Sequence, residues 1–151
     1  MAGLTNNLNY VQKEYKGALG YELPDNENQL FEIKSLPALD VEIFHKIYTY
    51  DDWEEAFTEL MGIFLETLPK ERSLIQEAHD SHDWKKVEAL AHKMKGGCLT
   101  TGMQRLSIAC QFLERYIKAG HSQQCEKLYE QMMTTLNDTV PDVKNWLKNH
   151  H

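Results

Sequence analysis

The chain has 151 residues, 26% charged and 42% hydrophobic, with 16 Lys+Arg against 23 Asp+Glu and a net charge of −7. That is the make-up of one ordinary globular domain with an appended segment, and its acidity argues against a nucleic-acid partner. No run of about 18 apolar residues occurs, so no membrane span is expected, and the N-terminus lacks the basic start and apolar core of a secretory signal.

Residues 1–36 differ from the rest. They carry Gly17, Gly20, Pro24 and many Asn with no sustained period. They read as a linker or partly ordered arm, with a short helix over 8–19. Leu36-Pro37-Ala38-Leu39-Asp40 then opens a domain that spans 37–149. Asp40 suits the N-cap of a short helix over 41–48. Asp51 or Asp52 caps the next helix, where Trp53, Ala56, Phe57, Leu60, Met61, Phe64, Leu65 and Leu68 form a wide apolar stripe. Pro69 should kink this helix or restart it, because it removes a backbone donor. The pattern resumes through Leu74, Ile75 and Ala78, and the polar run 79–83 is a turn.

Asp83 caps a helix whose core stripe is Trp84, Val87, Ala91, Met94 and Cys98. Beside it runs a half-exposed stripe of Lys85, Glu88, His92, Lys95 and Gly96. Gly102 turns the chain. The following helix buries Met103, Leu106, Cys110, Leu113 and Ile117, flanked by Ser107, Gln111, Glu114 and Lys118. Gly120 stops it. The last helix starts near Ser122, buries Cys125, Leu128, Met132, Leu136, Val143 and Leu147, and should bend at Pro141. Long amphipathic helices joined by short turns give an all-α fold. The expectation is an antiparallel up-down four-helix bundle with a short extra N-terminal helix and a linker-like arm.

Cys98, Cys110 and Cys125 fall at apolar positions with no C-x-x-C pair, which suits a reducing cytoplasm and offers no zinc-ligand spacing. His79 and His82 with Asp80 and Asp83 read as a solvated turn rather than a metal site. His150-His151 reads as a tag remnant or frayed tail. The basic residues cluster. Residues 85–118 hold seven basic and two acidic side chains, an excess of +5 that leaves −12 on the rest of the chain. A basic island around one histidine suits a phosphate or an anionic partner surface.

The densest signal is Ala91-His92-Lys93-Met94-Lys95-Gly96-Gly97, followed by Gly102 and by Cys110-Gln111-Phe112-Leu113-Glu114. His92, Lys95 and Gly96 are spaced i, i+3 and i+4, so they share one helix face. An imidazole beside a fixed cation and above a residue without a side chain has room for a phosphoryl group. Glu114, on the antiparallel neighbour, is placed to accept the Nδ1 proton and leave Nε2 outward as a nucleophile. Gln111, one turn earlier, is a second candidate for contact with the ring or phosphate. Lys95 offsets phosphoryl charge and Lys93 assists from the side. Lys85, Lys93, Gly96 and Gly97 are candidates for partner docking. No nucleotide-binding loop and no acidic cluster for Mg²⁺ occurs, so no kinase activity is expected of the chain itself.

These residues resemble the histidine-containing phosphotransfer (HPt) domain, whose signature reads H-x-[LIM]-K-G-[SAG], then a spaced glycine and C-x-x-L-E. The matches are His92, Met94, Lys95, Gly96, Gly97, Gly102, Leu106, Cys110, Leu113 and Glu114. The resemblance implies a phosphorelay intermediate that takes a phosphoryl group on His92 from an aspartyl-phosphate receiver domain and passes it to a response regulator. It implies no cofactor in this chain, with Mg²⁺ in the partner receiver. It also implies a cytoplasmic monomer, tethered to the inner membrane if the chain is the C-terminal module of a hybrid sensor kinase. The alternative is a bundle adapter that docks a receiver without phosphotransfer. A metal-dependent bundle hydrolase is disfavoured, because Glu88 and His92 are spaced by four and only once.

Overall fold

A computed structural model describes residues 23–49, 51–99 and 101–150. Among them are a 3-10 turn at Glu27–Phe31 and five helices, α1 (Val41–Ile47), α2 (Trp53–Asp80), α3 (Trp84–Leu99), α4 (Gln104–Lys118) and α5 (Cys125–Asn149), and no strand. The helix expected over 8–19 lies outside the described residues. Helix α2 packs on α3 and on α5, α3 on α4, and α4 on α5. The connections between these four are short, which makes neighbours antiparallel and closes the bundle.

The boundaries follow from local chemistry. The Asp40 carboxylate accepts the Glu42 N–H at 3.0 Å and caps α1. Asp83 does the same for α3, accepting the Lys86 N–H at 3.1 Å. Asp52 occupies the N-cap of α2 but makes no side-chain cap bond. Gly102 adopts φ +79°, and a Cβ there would run into the backbone carbonyl of Asp40. Its own carbonyl accepts the Asp40 N–H at 2.8 Å, so the α3–α4 turn is pinned against the entry to α1. The sequence predicts a kink or restart at Pro69 and a bend at Pro141. Helix α2 runs on through Pro69 without a restart, and α5 continues across Pro141. Both prolines are exposed.

The expected stripes on α3 and α5 are buried at Val87, Ala91, Met94 and Cys98, then Cys125, Leu128, Met132, Leu136 and Val143, while Trp84 and Leu147 at their ends are half-buried. Helix α4 departs from its single-stripe reading. Ile108, Ala109, Phe112 and Tyr116 are buried as well, and so are Ser107, Gln111 and Glu114, which the sequence places on a flank. The signal was present: Ile108, Phe112 and Tyr116 repeat at i, i+4 and i+8, a second apolar stripe on the same helix.

Residues 23–36, read from sequence as part of a linker-like arm, are tied into the bundle. Leu23, Leu30, Ile33 and Leu36 are buried in the core cluster. Arg105 reaches from α4 and donates to the carbonyls of Leu36 (2.9 Å) and Lys34 (3.0 Å). Gln131 of α5 donates to the Leu30 carbonyl at 2.9 Å. Such irregular backbone can be buried only where its polar groups find partners. Leu30→Ala should therefore cost about 2–4 kcal/mol in urea unfolding, as a buried leucine does. A loss below about 0.5 kcal/mol would mark the segment as a passive linker.

Candidate functional site

Helices α3 and α4 make the closest pair in the bundle, and the site lies along their seam. His92 is in the middle of α3, at the edge of its buried stripe, and its side chain is 63% exposed. Its Nδ1 lies 3.1 Å from Oε1 of Glu114. Glu114, near the end of α4, is 1% exposed. A carboxylate only accepts, so the ring proton belongs on Nδ1. Nε2 is left without a protein partner among the described residues.

Lys95 brings its Nζ within 3.0 Å of the same Oε1. Its side chain is only 10% exposed, so it is not the half-exposed cation that the sequence suggests. Its ammonium is paired with the carboxylate rather than with solvent. The other oxygen, Oε2, has Arg115 and Lys118 at 3.8 Å each. Of the two Oε1 contacts, that of Lys95 is an ion pair, whereas that of His92 carries charge only when the ring is protonated. Burial raises the pKa of Glu114, but Lys95, His92 and Arg115 outweigh it and hold the carboxyl below its ordinary value.

The other predicted residues fall in three places. Gly96 and Gly97 are exposed, and a Cβ on either would meet nothing within 4 Å, so the surface beside His92 is open. Gln111 is buried one turn before Glu114. Lys93 is exposed, whereas Lys85 points its ammonium at Glu88, 3.6 Å away, near the start of α3. Glu88, expected on the half-exposed stripe, is buried. Of the basic island, Lys95 is paired inside and Arg105 is engaged with the arm, so the exposed charge near the ring is smaller than the sequence suggests.

An apolar docking patch around His92, rimmed by Lys93, is expected from the sequence, but the residues that form it are not legible there. Leu60 and Ile63 of α2 are 38% and 48% exposed, beside the half-buried Phe64. They line a groove between α2 and α3 with Lys93 and Gly97. Leu60 reads from its spacing as core, and Ile63 stands outside the stripe. An apolar residue on the polar face of an amphipathic helix was the available signal. No group of three or more His, Cys, Asp or Glu that could hold a metal ion occurs among the described residues. None of their helices is long and apolar enough to cross a membrane.

Residues 59–146 match the family model of the Hpt domain, more than half of the chain, and the chain belongs to that family. Hpt domains serve histidine phosphotransfer in two-component signalling and interact with receiver domains. Neither the curated proteins nor the solved structures compared with the chain contain a match.

The Glu114 cluster makes a pH prediction. A carboxyl held below its ordinary value contributes stability that is present above about pH 4.5 and lost as pH falls through the folded value. Gln at this position does not titrate. The stability difference between the parent chain and Glu114→Gln should therefore shrink as urea melts are taken from pH 6 down to about 3. A difference independent of pH would show that the folded state does not hold this carboxyl below its ordinary value.

Proposed function

We propose that this chain is a phosphorelay intermediate that accepts a phosphoryl group on Nε2 of His92 from the aspartyl phosphate of a receiver domain and delivers it to a response regulator. The observation that supports this most strongly is the ring itself. It is largely exposed, its Nδ1 is committed to a buried carboxylate, and its Nε2 is open to a partner.

In the transfer, the Nε2 lone pair forms the N–P bond while the P–O bond to the aspartate breaks, and the aspartate leaves as a carboxylate. No proton need move: the ring keeps its Nδ1 proton and becomes formally cationic, and Glu114 balances that charge. The return step reverses each of these changes. The transition state is loose, so positioning does most of the work. Lys95 acts beside the ring through the shared oxygen of Glu114. Gly96 and Gly97 leave space for the phosphoryl group and the partner's loops. Mg²⁺ belongs to the receiver in this reading.

The docking surface is the groove of Leu60, Ile63 and Phe64, rimmed by Lys93, with a receiver as its occupant. Apolar groups at the centre and a cation at the rim suit an acidic phosphorylation pocket. The working unit is the bundle of 37–149 with residues 23–36 strapped to it, acting as a monomer in the cytoplasm. A C-terminal module of a hybrid sensor kinase is the origin that best suits an HPt bundle preceded by a strap. The adapter reading has no observation in its favour, since His92, Lys95 and Gly96 are all in place.

One assay tests the proposal. The chain is incubated with a phosphorylated receiver, and the label is examined for acid lability. The parent should carry acid-labile, alkali-stable label. His92→Gln should carry none while keeping its stability within about 1 kcal/mol, as for most exposed substitutions. Gly96→Leu should fold and transfer poorly. Lys93→Glu should slow the encounter, most at low salt, while Lys144→Glu on α5 should change little. Label on His92→Gln, or Lys144→Glu as damaging as Lys93→Glu, would overturn the acceptor or the docking face respectively.

A further inference from the structure

A second histidine site lies outside the phosphotransfer machinery. His79 is in the last turn of α2, 20% exposed, at the corner where α2 gives way to α3. Its Nδ1 lies 3.1 Å from Oδ1 of Asp80, and its Nε2 lies 2.9 Å from both carboxylate oxygens of Glu126. The ring stacks face to face on Tyr129 at 3.8 Å and 2°, with the edge of Trp84 5.5 Å away. The charged groups facing it are Asp80 from its own helix and Glu126 from α5. Tyr129 of α5 adds a phenol, which burial, Asp80 and Glu126 push up and so keep neutral. Trp84 of α3 adds an indole. The sequence reads this run as a solvated turn, but three helices meet on the ring.

We propose that His79 is a proton-operated latch that fastens the α2–α3 corner to the start of α5. A neutral imidazole has one N–H, whereas two carboxylates face the two ring nitrogens. Only the doubly protonated ring donates to both. Loss of the proton turns one contact into a lone pair against a carboxylate. The helix ends favour the same state, since the cation lies at the C-terminus of α2 and Glu126 in the first turn of α5. Stacking on Tyr129 adds attraction for a cation. Burial lowers the pKa of His79, but Glu126 and Asp80 outweigh it, and the net direction is upward from 6.5.

The sign follows from linkage. A raised folded value gives stability that is complete below about pH 6.5 and lost as pH rises through the folded value. Each unit of elevation is worth about tenfold in the folding equilibrium. Helix α3, which carries His92, begins at this corner, so the latch anchors the near end of that helix. The inference does not depend on phosphotransfer.

The test is an NMR titration of the His79 ring in the intact chain, with urea melts at about pH 5.5 and 8.5 for the parent, Glu126→Gln and His79→Gln. The ring of the parent should titrate above 6.5, and Glu126→Gln should lower that value. The stability that the parent loses between the two pH values should shrink in both variants. If His79→Gln fails to fold, Glu126→Gln carries the comparison alone. A ring titrating at or below 6.5, or a stability loss that Glu126→Gln leaves unchanged, would overturn the latch.

Discussion

The structure turns on one buried carboxylate. Glu114 is almost wholly removed from water, and a charge in that position must be answered by nearby cations and donors. Helix α3 supplies His92 and Lys95 to one oxygen, and α4 itself supplies Arg115 and Lys118 near the other. The pairing fixes how α3 lies against α4, because a slip of one turn would leave Glu114 and Lys95 unmatched. Removing one member of a buried pair commonly costs about 3–5 kcal/mol, since the survivor stays buried. The same contact orients a ring that is otherwise mostly in water. An exposed histidine thus gains a fixed direction from a partner inside the protein.

Around that anchor the surface is kept open at some local cost. Gly96 and Gly97 sit inside α3, where each is roughly 1 kcal/mol worse than alanine. Nothing fills the space their side chains would take. Leu60 and Ile63 remain exposed although the bundle has a core to receive apolar groups. The helix is held by packing instead, through Ala91, Met94 and Cys98 below and the pinned turn at Gly102 beyond its end. The histidine ring thus stands beside bare helix surface and an apolar groove.

Much of this was legible in the sequence for physical reasons. The stripes of α3 and α5 have a clean helical period, so both helices and their buried faces follow directly. The meeting of His92 with Glu114 follows from two antiparallel helices joined at Gly102. Other features needed the fold. Lys95 reads as half-exposed, because spacing gives an angle on the helix but not how close the neighbouring helix comes. The polar flank of α4 is buried for the same reason. Residues 23–36 lack a period, since their leucines pack as irregular chain, and the side chains that secure them, Arg105 and Gln131, lie far along the sequence.

The central claim is that Glu114 holds the His92 proton on Nδ1 and leaves Nε2 bare. Nitrogen-15 NMR of the ring in mildly alkaline buffer tests it most directly. The account predicts the Nδ1–H tautomer wherever the ring is neutral, and loss of that preference in Glu114→Gln. A ring in the Nε2–H tautomer, or one whose tautomer is indifferent to Glu114, would contradict it.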